Sequence, residues 1–177
     1  MVLDWAFKNN FYWDMVHNIS RNTSDPKRLA YLRLGIKDIY EAVAAEYRAN
    51  KLYDIFYVVL ELTEEERGKL EKSVNNFLLF TSFVKGTFVE KEGMKHFKGK
   101  PNNVLFTIVP HRSERGDTLD FGFVRRGDEV LVNIYNVFRV DMEANPKTRR
   151  IELVYGVLPV MDQRRQIKEE RGGMTKI

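Results

Sequence analysis

The chain contains no cysteine among its 177 residues. That excludes disulfides, thiolate metal sites and a cysteine nucleophile, and it fits a reducing compartment. No apolar run approaches the ~18 residues that a membrane-spanning helix needs. The longest, Ile55 to Leu60, is core-sized. The start, Met1-Val2-Leu3-Asp4-Trp5, lacks the basic region of a secretory leader, and Asp4, Lys8, Asn9 and Asn10 interrupt its apolar residues. The expectation is a cytoplasmic protein with no membrane partner. On that expectation the sequons Asn18-Ile19-Ser20 and Asn22-Thr23-Ser24 carry no glycan. Glutamine is scarce, only Gln163 and Gln166 against abundant Lys, Arg and Glu, a composition that leans toward a heat-adapted source.

Several chemical signatures are missing as well. Neither a P-loop nor a G-x-G-x-x-G fingerprint occurs, and there is no G-x-S-x-G elbow. His17, His96 and His111 lie far apart with no i, i+4 pair, so neither a zinc site nor any other metal or cofactor is expected. The nearest approach to a carboxylate cluster for a two-metal nuclease is Asp117, Asp120, Asp128 and Glu129.

What is present divides near residue 100. Hydrophobic residues make up 44% and charged residues 31%, enough for a packed core in one domain over residues 1–177. Before the division the apolar residues recur at helical spacing. Trp5, Tyr12, Val16 and Ile19 share one face of a helix over 3–19, with Asp4 as its N-cap. Asp25-Pro26 opens a second helix that carries Leu29, Leu32, Ile36, Ile39 and Val43 to about Asn50. Residues 51–62 are ambiguous. Leu52, Ile55, Phe56, Val59 and Leu62 fit a helix, whereas Ile55 to Val59 has strand composition; the spacing favours a helix. Thr63-Glu64-Glu65-Glu66 is a capping box that starts a further helix through Leu70, Val74, Phe77 and Leu78, at its longest to Val84.

Residues 85–103 read as a basic, glycine-punctuated connector with Lys85, Lys91, Lys95, Lys98 and Lys100. Beyond it the apolar residues alternate. Four strands are expected over 104–111, 119–126, 129–141 and 150–160, with Arg126-Gly127-Asp128 as a tight hairpin and short loops favouring a meander. The fold class that follows is α+β. A helical bundle half of three to four helices over 1–84 packs on a four-stranded antiparallel sheet over 104–160, and a charged tail occupies 161–177. The repeated tripeptides Arg115-Gly116-Asp117 and Arg126-Gly127-Asp128 read as turn chemistry, not as receptor-adhesion motifs.

Two constellations carry functional expectations. Alternation leaves Asp120, Asn133, Tyr135, Arg139, Asp141, Arg150 and Glu152 on one polar sheet face, with His111 at its edge. Within it His111, Tyr135, Arg139, Asp141 and Glu152 are the candidates for acid–base catalysis, as in a small hydrolase or nuclease. The second signal is a change of cation. From residue 101 there are ten Arg and three Lys, whereas residues 1–100 hold five Arg and eleven Lys. Arg forks bind phosphate bidentately. Net charge is +4 with a pI of about 9.2. Together these point to a nucleic-acid-binding accessory protein that holds DNA or RNA phosphates through Lys91, Lys95, Lys98, Lys100, Arg112, Arg125, Arg126, Arg149 and Arg150. The competing expectation is a homo-oligomeric interaction module joined through the aromatic N-terminal helix or a sheet edge.

Overall fold

The structure is a computed structural model. It describes Leu3, Phe7, Lys8 and residues 26–49, 54–73, 77–110, 122–134, 136–140, 149–155 and 174–176. In chain order the elements are α1 (Pro26–Ala49), β1 (Phe56–Glu61), α2 (Glu64–Glu71), β2 (Phe77–Leu79), β3 (Val84–Thr87), α3 (Glu90–Lys98), β4 (Asn103–Pro110), β5 (Phe123–Arg126), β6 (Glu129–Val132), β7 (Val137–Val140), β8 (Arg150–Tyr155) and β9 (Met174–Lys176). The strands form one nine-stranded sheet in the order β5-β6-β3-β1-β4-β8-β7-β2-β9. The β4–β8 and β2–β9 pairs are parallel, and the other pairs are antiparallel.

This corrects the expected four-stranded sheet beneath a helical half. β1 and β2 come from the stretch that reads as helical, and β3 from the start of the expected connector. β1 is the main case. Its aromatic and β-branched residues suit a pleated strand, and β3 and β4 pair with it on both sides, which overrides a helical spacing of apolar residues. Phe56 and Val58 are fully buried, while Tyr57 and Val59 on the other face are only partly so. α2 does begin at the capping box. Thr63 Oγ1 accepts from the Glu66 amide at 3.2 Å, and Glu66 Oε2 accepts from the Thr63 amide at 2.8 Å. The helix stops at Glu71, and Phe77–Leu79 pairs with β7 and β9 instead of extending it. The meander is also replaced: β4 pairs with β1 and β8, not with β5. The β5–β6 hairpin does form, with Gly127 at its turn at φ 58°. The third expected strand divides into β6 and β7. Between them the Asn133 and Asn136 side-chain amides donate to the Tyr40 and Gly122 carbonyls at 3.0 and 2.8 Å.

The sheet is strongly curled. Phe56 on β1 and Phe123 on β5 are three strand spacings apart, ~14 Å in a flat sheet. Their ring centroids are 4.7 Å apart. At the other end, Phe80 beyond β2 meets Phe106 on β4 at 5.7 Å, again across three spacings. One face is thus wrapped inward around a core of Phe56, Val58, Phe80, Phe106, Phe123, Val130, Phe138, Ile151 and Leu153. A smaller core lies outside β5 and β6. There Val124, Leu131 and Ile134 pack against Ile39 and Val43 of α1 and against Leu3 and Phe7. The apolar face expected over 3–19, Trp5, Tyr12, Val16 and Ile19, lies outside the described residues, as do Arg115-Gly116-Asp117 and residues 161–173. No described helix is long and apolar enough to cross a membrane.

Two left-handed glycines separate backbone strain from packing. Gly122 (φ 62°) faces the Tyr47 ring, where an added Cβ would lie 2.2 Å from Cγ; Gly127 (φ 58°) has open space. Gly127→Ala should cost about 1–2 kcal/mol for the left-handed backbone alone. Gly122→Ala should add overpacking of roughly 1–3 kcal/mol to that. Denaturant unfolding of both variants checks this, and equal losses would remove the Tyr47 contact from the account.

Candidate functional site

The outward face of the sheet carries a polar row. Register pairs Arg126 with Glu129, Glu129 with Thr87, Thr87 with Tyr57, Tyr57 with Thr107 and Thr107 with Glu152. Cross-strand partners share a face. Six strands therefore contribute one residue each to a line opposite the buried Phe56 and Val58.

α3 lies over this face, against β1, β3 and β4. Its close approach depends on Gly93. A Cβ there would sit 2.9 Å from Tyr57 Cβ. Glycine in a helix interior costs about 1 kcal/mol relative to alanine. Here it lets the helix backbone rest on the strand. Gly86 answers the same constraint inside the sheet, since a Cβ there would lie 2.4 Å from the Tyr57 carbonyl oxygen. Between α3 and strands β1, β3 and β6 runs a groove of about 820 Å³, lined among others by Tyr57, Glu61, Lys85, Thr87, Glu92, His96, Lys100, Asp128 and Glu129. That volume falls within the ~300–1,000 Å³ of small-molecule sites.

The row is chemically differentiated. Burial, and secondly the charge of Glu90, raise the Tyr57 phenol above its ordinary value of 10.0, so it stays a neutral hydrogen-bond donor. Thr87 Oγ1 accepts from the Val89 amide at 3.0 Å, which leaves its own proton to donate. Glu129 is exposed at the groove. Lys85 Nζ donates to the Phe7 carbonyl at 3.0 Å, tying the N-terminal segment to the groove wall. Arg126 makes a forked pair with Glu46 of α1, Nη2 to Oε2 at 2.8 Å. Among the described residues no group of three or more His, Asp or Glu is arranged to hold a metal ion.

The residues expected from sequence to bind phosphates do not converge. Arg125 reaches Asp54 at 3.2 Å and the Gly127 carbonyl at 2.8 Å, and covers the Phe88 ring. Arg126, its neighbour, faces the other side of the sheet. Arg149, at φ 60°, donates to the carbonyls of Lys100, Pro101 and Asn103 and lies over Phe97, as does Arg150. The expected connector is β3 followed by α3, on which Lys91, Lys95 and Lys98 are exposed. Lys95 pairs with Glu92 at 3.6 Å and Lys100 with Glu61 at 2.5 Å. Arg112 lies outside the described residues. Of the acid–base candidates, His111, Tyr135 and Asp141 also lie outside them. Arg139 is on β7, with its Nε buried and lacking a hydrogen-bond partner. Glu152 is on the polar row two strands from Tyr57. Sequence reasoning passed over Tyr57 and Thr87, because a helical reading of β1 and a loop reading of β3 give them no common face. It named Glu129 only with Asp117, Asp120 and Asp128, as the nearest approach to the carboxylate cluster of a two-metal nuclease.

No protein-family model matches this sequence, and no curated protein matches it. Solved structures do resemble the fold. The ADP-ribosyltransferase Vis in complex with agmatine superposes with a TM-score of 0.56 at 16% identity, covering 90% of this chain and 73% of that one. The Vis toxin from Vibrio splendidus, also an ADP-ribosyltransferase, gives 0.57 at 16% identity over 90% and 72%. The ADP-ribosyltransferase HopU1 of Pseudomonas syringae pv. Tomato gives 0.52 at 12% identity over 81% and 64%. The fold is that of ADP-ribosyltransferases. It overturns the expected nucleic-acid-binding accessory protein, and with it the DNA and RNA partners inferred from cation composition.

The raised phenol of Tyr57 has a pH consequence. The protonated form is favoured in the folded state, so its stabilisation is full below the ordinary tyrosine value and is lost as pH rises through the higher folded one. Absorbance titration of the phenolates against Tyr57→Phe should place the Tyr57 transition above 10.0. A transition below that value would contradict the placement.

Proposed function

We propose that this chain is an enzyme of ADP-ribosyl transfer, with its site in the groove between α3 and the polar row. The observation that carries the reading is the in-register line Glu129–Thr87–Tyr57, which places a carboxylate, a hydroxyl and a neutral phenol on one wall of a substrate-sized groove. The fold likeness supports the choice of reaction.

The substrate is NAD. Transfer breaks the bond between ribose C1′ and the nicotinamide nitrogen and forms a bond from C1′ to an acceptor nucleophile. Nicotinamide leaves neutral, so positive charge develops on the ribose, as in other glycosyl transfers. A carboxylate beside C1′ stabilises that charge and takes the proton of the incoming nucleophile. Glu129 is the residue of the row suited to this role. Thr87 and Tyr57 supply donors that orient the ribose hydroxyls and the nicotinamide amide. The groove fits the substrate in size and in its mixture of donors and acidic groups. A chain without thiols has nothing that a reducing cytosol would alter, which supports an intracellular site of action.

The test is release of nicotinamide from NAD, measured chromatographically with and without a protein acceptor. Glu129→Gln is isosteric and exposed, so it should fold normally. It should lower turnover by roughly 10²–10³-fold, as removal of one transition-state charge partner does, while NAD binding changes little. Turnover unchanged in Glu129→Gln, or no nicotinamide release by the native chain, would contradict the reading.

A further inference from the structure

The groove has unlike ends, because α3 sorts its charges along its length. Glu90 and Glu92 flank Lys91 in the first turn, and Lys95, His96 and Lys98 occupy the last. The helix and β1 run side by side in the same direction. Gly93 lies on Tyr57, and Asn103, just past the helix, pairs with Glu61 at the end of β1. At one end of the groove stand Asp128 and Glu129 from β6 and its turn; at the other stand Lys95, which is ion-paired with Glu92 at 3.6 Å, His96 and Lys100. Tyr57 and Glu61 mark the two ends, four residues of strand apart, or ~13 Å.

We propose that the Lys95–His96–Lys100 end is the diphosphate subsite of the groove, so that a dinucleotide lies along α3 with its diphosphate there and its reactive ribose at Glu129. This rests on the ADP-ribosyl-transfer reading. The opposite orientation would set the diphosphate against Asp128 and Glu129, where like charges repel it. Two features of the basic end bear on the assignment. The C-terminal end of a helix carries about half a negative charge, which the last-turn cations of α3 more than offset. Glu61 holds Lys100 in an exposed ion pair. Such pairs are weak and exchange partners readily. An arriving phosphate therefore competes with Glu61 for Lys100, and removing the Glu61 charge should tighten binding.

The experiment uses ADP as probe in titration calorimetry with the full chain, so that binding is read without catalysis. Native protein should bind ADP. The exposed double variant Lys95→Ala/Lys100→Ala should weaken it about tenfold or more, as expected for loss of charge-assisted phosphate contacts. Glu61→Gln should strengthen it, and Lys98→Ala, which does not line the groove, should leave it unchanged. No ADP binding, equal affinity in the double variant, or an equal loss in Lys98→Ala would overturn the assignment. Nicotinamide release by the native chain separates the two claims. Release together with lysine-independent ADP binding defeats only the orientation. Lysine-dependent ADP binding without release leaves the subsite and defeats the enzyme reading.

Discussion

The contact between Phe56 and Phe123 governs the rest of this structure. Their rings meet although three strand spacings separate them along the sheet. That meeting requires curvature, and the curvature has two results. It encloses one face of the sheet as a continuous apolar core. It also turns the other face outward, where α3 lies against β1, β3 and β4 and borders a groove. Tyr47 extends the same stack from α1, with its ring 5.1 Å from Phe123. The helix, the curl and the groove are thus joined through one aromatic cluster.

Strand register then converts curvature into chemistry. A period of two residues assigns every second side chain to the groove face, and antiparallel pairing aligns them across β1, β3 and β6. Nothing about Tyr57, Thr87 or Glu129 alone marks a site; together they span more than seventy residues of chain. Their meeting depends on Gly86, which lets β3 fit between its neighbours, and on Gly93, which lets α3 settle on Tyr57. Both glycines spend conformational entropy for proximity.

Parts of this were legible in the sequence because their causes are local. Pro26 and the i, i+3, i+4 apolar spacing mark α1, Thr63 and Glu66 cap α2, and Gly127 makes the β5–β6 turn. Ile151 and Leu153 alternate with Glu152 as a half-buried strand must. The failures have non-local causes. Apolar residues in β1 satisfy a helix as well as a strand, and only pairing on both sides decides. β3 is four residues long and contains a glycine, so it reads as a loop. Gly93 reads as punctuation of a connector when its role is contact with Tyr57. The Arg-rich second half suggested phosphate binding, yet Arg126 and Arg149 are occupied by Glu46 and by backbone carbonyls. Composition counts cations but does not show what they hold.

The central claim is that the groove face of β1, β3 and β6 is a dinucleotide site. An amide NMR titration of the chain with NAD tests it residue by residue. The account predicts saturable shifts concentrated at Tyr57, Thr87, Gly93 and Glu129, with Phe138, Ile151 and Leu153 of the enclosed face unmoved. Shifts gathered on β7 and β8 around Arg139, or none at millimolar NAD, would contradict it.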